Sequence, residues 1–381
     1  MFKKLTFKIA LFFILSSLGI SYGKGQVDSA FKVSEEEKKN YFYEGLNYGS
    51  QGNFNPISLV LNRGFEMLRI VKYDLVYDPF NYNYRFYNVF ENLSNPIKNI
   101  RTYGTKDFFL EQVIPFGNLK KPFWYPNYTL HLVGGGISYT MLKEYFIAHQ
   151  VKAPGYLAGA TVILAGLINE GIEERERGSG FILNVDLIAD VLIFDLGGIL
   201  LFQSKKVNKF FSEKLNMRDW SRQPMFLLPG TYMGNCGQFF SIKVKLPGTK
   251  TWYAFSLMGL GGLVGVSKKL ANGYAYSIGF GQGPKRKDKE LFGLPIDISL
   301  VPMAGIYLDK NNSVLASLEL SNTTNDRYHN YFAELNIYPG LIHIGKKFSP
   351  GIWSAVTKQK EFIIGLNCNY SFGIGLGRRP F

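Results

Sequence analysis

The spacing of hydrophobic and polar positions changes character twice along the chain. From Lys24 to Tyr128 the sequence is rich in Tyr, Phe and Asn without a sustained period. Turn signals recur there at Asp78-Pro79, Asn95-Pro96 and Gly117-Asn118. Short helices are predicted over 35–46 and 57–70, with the remainder irregular. From Asn127 to about Leu215 apolar residues follow helical spacing. A first helix is predicted from Asn127-Tyr-Thr to His149, and a second from near Pro154. The break Gly178-Ser-Gly180 separates it from a third, which starts near Phe181 and closes at Lys205-Lys206, cations at a helix C-terminus. Beyond Met225 the period becomes two. Segments 239–246, 274–281, 313–320 and 362–377 alternate, with turns such as Pro247-Gly248, Asn272-Gly273 and Lys310-Asn311-Asn312 between them.

This pattern predicts an α+β chain: a helical module followed by an antiparallel β-meander. Gly, Ser and Asn alternate with aliphatic and aromatic residues in the strands, as a lipid-facing barrel of eight to ten strands requires. The final Phe381 fits an outer-membrane barrel, although Arg378-Arg379-Pro380 interrupts the last strand. A soluble β-domain on a membrane surface is the alternative. The boundaries read as 1–23 signal peptide, 24–126 Tyr/Phe/Asn-rich region, 127–224 helical module and 225–381 β-domain.

Composition narrows the setting. Lys3, Lys4 and Lys8 precede the apolar run from Ile9 to Ile20, and small residues follow at Ser21-Tyr22-Gly23. That is the layout of a secretory signal, with an apolar part short for a membrane span. The mature chain then has 358 residues (381 − 23), and its charge falls from +14 to +11 with the three lysines. An exported basic protein suits anionic lipid head groups, whereas nucleic acid is not an expected partner. The outer membrane is the expected location and the periplasm the alternative. Aromatic residues make up 16% of the chain, which fits strands and membrane girdles. Cys236 and Cys368 could pair in an oxidising compartment, but spacing does not decide it.

The candidate chemistry lies in 154–202, where acids interrupt an apolar run. A carboxylate there is costly unless paired, hydrogen-bonded or protonated. On ideal helices Glu170 and Glu174 share a face with Gly159 and Gly166, and Glu173 lies at its edge. The two glycines would let another helix approach closely. Asp186 and Asp190 share a face with Gly197, while Asn184 and Asp195 fall on the opposite side. With His131 from the first helix, the candidate site is His131, Glu170, Glu174, Asp186 and Asp190. It suits acid–base chemistry or a hard cation such as Ca²⁺, Mg²⁺ or Mn²⁺, and the histidine would allow Zn²⁺. The spacing matches no specific metal motif. The ordinary alternative is a structural polar network: a solvated helix end at 173–177, and Asp186 and Asp190 paired with cations or Tyr hydroxyls from the first region. His149, His329 and His343 stand beside no other candidate groups. The Gly-rich run 259–265 lacks the following helix of a phosphate loop, and 281–289 reads as a basic turn. No nucleophilic Ser motif or cofactor motif is present.

The run Trp124-Tyr-Pro-Asn-Tyr-Thr-Leu-His131, then Asn169-Glu170 with Glu173 or Glu174, then 186–198 from Asp186 through Asp190 and Asp195 to Gly198, resembles an uncharacterised family of Gram-negative envelope proteins. Asp219-Trp220-Ser221 and Gln223-Pro224 extend that resemblance, which covers about 95–238. It implies an outer-membrane or periplasm-facing location and no known activity. The expected function is a structural or transport-related role in the envelope. A membrane-embedded hydrolase or lipid-modifying enzyme built on the acid cluster is the alternative.

Overall fold

The computed structural model describes residues 40–69, 81–121, 123–173, 181–228, 232–286, 298–322, 331–345, 348–356, 362–368 and 371–377. The signal sequence, Glu174, the 178–180 break, His329 and the C-terminal 378–381 lie outside them. Residues 40–381 form one compact unit.

Local chemistry sets the helix starts. Helix α1 (Pro56–Gly64) has a reciprocal cap. Asn55 accepts the N–H groups of Ile57 and Ser58 at 3.0 Å each, and Ser58 Oγ accepts that of Asn55 at 2.9 Å. Pro56 follows at the first helical position, where its missing N–H costs nothing. Helix α2 (Tyr82–Ser94) is capped by Asn81, and α3 (Pro96–Tyr103) again opens on proline. Both lie in the region expected to be largely irregular. Helix α4 runs over 124–148 and α5 over Pro154–Glu173. Helix α6 spans 186–201 and α7 spans 205–214. Three of these are not uniform: Asn127–Gly134 in α4, Ala189–Asp195 in α6 and Phe210–Lys214 in α7 are π-helical.

Helix α5 packs between α1 and α4. Their common core contains Leu59, Ile137, Leu142, Val162 and Ala165, with Phe202 and Phe240. Gly198 lets α6 approach α4 closely, since a Cβ there would meet Leu132 O and Gly136 N. The helix expected over 35–46 is not formed over its described residues, 40–46. Instead Glu144 on α4 accepts the N–H groups of Tyr41, Phe42 and Tyr43 at 2.6, 3.0 and 2.8 Å. Donors committed to a side chain cannot close a helical turn.

The β region is a single 13-stranded sheet in the order β1-β4-β5-β6-β7-β8-β9-β10-β11-β12-β13-β2-β3. The strands are β1 (Arg218–Asp219), β2 (Met225–Leu228), β3 (Tyr232–Gly234), β4 (Phe240–Lys245), β5 (Trp252–Met258), β6 (Gly262–Lys269) and β7 (Tyr274–Arg286). They continue as β8 (Ile298–Lys310), β9 (Ser313–Ser321), β10 (Ala333–Ile337), β11 (Gly351–Val356), β12 (Phe362–Asn367) and β13 (Gly373–Leu376). All neighbours are antiparallel except β13 with β2. The expected closed barrel of eight to ten strands is corrected: this sheet has two ends, β1 and β3, and is not closed. Between β1 and β2 lies Pro224, which cannot donate to a ladder. Opposite it, Asn235 (φ 50°) and Gly237 (φ 148°) leave the extended region. Two finer expectations also change. Residues 362–377 form two strands, and 281–286, read as part of a turn, continue β7.

The two faces of the sheet are unlike. Phe362, Ile364 and Leu366 of β12 are exposed while Ile363, Gly365 and Asn367 are buried. On β9, Leu318 and Leu320 are exposed while Ser317 and Glu319 are buried. Polar side chains therefore occupy the inner face beside Trp220, Phe255, Tyr307, Tyr338 and Trp353. Lys243 of β4 points inward to Asp309 of β8 at 2.5 Å. Its neighbours Phe240 and Ile242, with Met258 of β5, point the other way and join the core of α1, α4 and α5. The helices thus cover the outer face of the sheet at β4 and β5.

Candidate functional site

Four helices bring polar side chains to one buried point. Arg63 comes from the end of α1, His131 from α4, Glu170 from α5, and Asp190 and Asp195 from α6. Arg63 pairs with Asp195 Oδ1 through Nη2, and its Nη1 donates to Leu130 O at 2.9 Å and Gln238 Oε1 at 3.2 Å. Gln238 in turn donates to Ser138 Oγ at 2.6 Å, which ties this arginine to both the sheet edge and α4. Small residues make the room. A Cβ on Gly166 would stand 2.5 Å from Asp195 Oδ2, and one on Gly135 would stand 3.3 Å from Asp195 Oδ1. Gly159, expected to share this role, has open space instead.

The imidazole of His131 lies between two acids. Its Nδ1 is 3.1 Å from Asp195 Oδ1, and its Nε2 is 3.6 Å from Asp190 Oδ2. Arg63 Nη2 also lies 3.4 Å from Nδ1, but its short bond goes to Asp195. A carboxylate paired with arginine accepts, so we assign the ring proton to Nδ1, which leaves the Nε2 lone pair facing Asp190. His131, Glu170 and Asp190 each place one ligating atom within 4.8 Å of the others, and all three are buried. Asp190 is 5% exposed, and its Oδ1 has no hydrogen-bond partner among the described residues. Burial, and then the carboxylates of Asp186, Glu170, Glu173 and Asp195, push its pKa well above the ordinary carboxylate range.

Asp186 stands at the margin of this group. Its backbone N–H donates to Asn184 Oδ1 at 3.1 Å at the start of α6. Burial raises its carboxyl to about 6, against the opposing effects of His131 and a hydrogen bond from Gln112. Glu173 is half-buried on the last turn of α5. Of the five residues expected here, His131, Glu170 and Asp190 come together, Asp186 is adjacent, and Glu174 lies outside the described residues.

Two members were missed from sequence. Asp195 was expected on the far side of its helix. At about 100° per residue, five residues turn through about 500°, leaving Asp190 and Asp195 about 140° apart. The π-helical turn of Ala189–Asp195 repeats at i to i+5 instead, so both acids reach the same imidazole. Arg63 gave only a weak signal, a single cation inside the run 57–68, ISLVLNRGFEML.

A second buried polar group lies inside the sheet. Arg222 pairs with Glu319 and, at 3.2 Å, with Glu334. Tyr307 Oη donates to Glu319 at 3.1 Å and Trp353 Nε1 to Glu334 at 3.0 Å. The remaining candidates are ordinary. His149 stacks on Tyr145, His343 is exposed, Cys236 is buried with its Sγ 3.5 Å from Gly234 O, and Cys368 is exposed. Residues 259–261 form the turn between β5 and β6. The chain matches no known family model, no curated protein and no solved structure.

The helical group can do one of two things chemically. The Nε2 lone pair and two carboxylates can bind a cation, or they can share and move a proton. All three residues are buried, which suits holding an ion better than admitting a lipid or other large substrate.

Proposed function

We propose that this is an outer-membrane protein whose sheet is a barrel-type wall embedded in lipid, with the helical module braced against that wall, in a structural role in the bacterial envelope. The observation that carries the reading is the inverted polarity of the sheet. Val264, Phe280, Leu300, Ile306, Leu318, Leu320, Ile364, Leu366, Ile374 and Leu376 are exposed on one face, while Lys243, Asp309, Arg222, Glu319 and Glu334 are buried on the other. A water-soluble sheet places its apolar face inward, whereas a sheet in lipid does the reverse.

The open ends support a wall interrupted at one seam. Strands β1 and β2 belong to the segment 218–228, and β3 and β4 to the segment 232–245. Between the named ladders, Trp220 N–H donates to Phe239 O at 2.8 Å and Arg222 N–H to Gly237 O at 3.0 Å. The first segment therefore pairs with the second on one side and with β13 on the other. Large side chains fill the inner face, Trp220, Tyr338 and Trp353 among them. That filling favours a scaffold over a solute pore. Helix α5 is long and apolar enough to cross a membrane, but its packing on α1 and α4 explains the same composition.

Cell fractionation tests this. The reading expects recovery with the outer membrane, release only by detergent, and a band that shifts on heating. A protein recovered in the soluble periplasm without detergent would sink it.

A further inference from the structure

We infer that His131, Glu170 and Asp190 form a binding site for one divalent transition-metal ion of the Zn²⁺ class, oriented by Asp195 and Arg63. The inference stands apart from the membrane reading, since it concerns only the helical module.

Four observations converge on it. The first is the donor set: one imidazole nitrogen and two carboxylates, each with an atom within 4.8 Å of the others. Zinc takes such ligands, imidazole nitrogen and carboxylate oxygen, at about 2.0–2.2 Å. The second is Asp190 Oδ1, which is buried and has no hydrogen-bond partner among the described residues. Buried polar atoms are normally satisfied, so an oxygen of this kind among other ligating groups has capacity for a further partner. The third is the orientation of the histidine. Its Nδ1 is 3.1 Å from Asp195, and Arg63 holds that carboxylate in turn. A carboxylate behind the distal ring nitrogen fixes the tautomer and directs the other lone pair at a metal. The fourth is the backbone. Both His131 and Asp190 sit in π-helical stretches, and the one over Ala189–Asp195 lets Asp190 and Asp195 reach the same imidazole.

The donor set selects a cation over a neutral ligand, since two carboxylates and one imidazole nitrogen offer lone pairs to a shared point. Calcium and magnesium prefer six or more oxygen ligands, or several retained waters, and seldom use imidazole. A single nitrogen beside two carboxylates in a small buried space suits Zn²⁺ better.

The test uses the full-length protein in detergent, stripped with a chelator and titrated with Zn²⁺ against a chromogenic competitor. One equivalent is expected to bind to the wild type. The variants H131Q and D190N are expected to lose at least 100-fold in affinity, and D195N about tenfold, as a residue that orients the ligand. Folding of each variant is checked by its circular dichroism. If they fail to fold, X-ray absorption at the zinc edge of the loaded wild type decides alone, because one coordinated imidazole has a distinctive outer-shell signal. That signal supports the site. No Zn²⁺ bound by the folded wild type, unchanged affinity in folded D190N, or a bound ion without imidazole overturns it.

Discussion

Both halves of this molecule bury charge, and they treat it in opposite ways. Inside the sheet, Arg222 stands between Glu319 and Glu334, Tyr307 and Trp353 donate to those acids, and Lys243 meets Asp309. Each carboxylate there has a cation and a neutral donor or a short ion pair. Among the helices, Asp195 has Arg63 and His131, but Asp190 faces His131 and further acids, and its Oδ1 has no hydrogen-bond partner among the described residues. In the sheet Glu319, Glu334 and Asp309 are each paired with a cation, and breaking such a buried pair is costly. The helical cluster instead gathers carboxylates around one histidine, a donor set that a cation would complete.

Breaking the sheet network gives the largest expected effect. The substitution R222M leaves two buried carboxylates without their cation, which costs about 3–5 kcal/mol. Heat-modifiable mobility and the denaturant midpoint in detergent should both fall sharply. Mild loss would mean that the network is wetter than its burial indicates, and the comparison would lose its balanced half. The outer face gives the next effect. Leu320 is exposed on β9, and L320R would place a charge toward lipid at about 2–4 kcal/mol if that position lies near the bilayer centre. Recovery in the outer membrane should drop. Unchanged recovery would remove lipid from that face and with it the membrane wall.

Much of this contrast was legible in the sequence, and what was not has identifiable causes. Period-two alternation marked β9 and β12 because side chains on a strand must point to alternate faces, whatever lies on either side. The helices from Asn127 and Pro154 were equally legible from their spacing. Closure of the sheet was not, since it turns on two local breaks around Pro224, Asn235 and Gly237 rather than on any period. Three of the five site residues meet as their helical faces suggest. Asp195 escaped because an ideal 100° wheel cannot represent a π-helical turn, and Arg63 because it lies 68 positions before His131 (131 − 63). Long-range partners of that kind leave no local pattern to read.

Packing around the cluster offers a third, smaller effect. Gly166 gives Asp195 its space, and G166A would press a methyl against Oδ2, at about 1–3 kcal/mol for an overpacked position. The neighbouring Gly159 has open space, so G159A should be neutral or slightly stabilising in a helix. Thermal midpoints of the two variants should therefore move apart. Equal midpoints would show that α5 and α6 are not packed closely at Asp195.

The smallest effect has the most informative sign. In a metal-free protein, D190N replaces a buried acid, surrounded by other carboxylates, with a neutral group of the same shape. A raised pKa means that folding disfavours the charge this acid carries freely when unfolded, and asparagine has none to lose, so the metal-free variant should be more stable than the wild type at neutral pH, by about 1 kcal/mol. The corresponding change in the sheet, E319Q, weakens a satisfied ion pair and should destabilise by a similar or larger amount. Adding Zn²⁺ should then raise the wild-type midpoint and leave D190N unmoved, because a ligand stabilises only a state that binds it. Thermal unfolding of the three proteins, with chelator and then with Zn²⁺, measures both signs at once. If D190N and E319Q both destabilise in chelator, Asp190 holds the helices together as Glu319 holds the sheet. The distinction between a structural network and a binding cluster would then have no physical basis in this molecule.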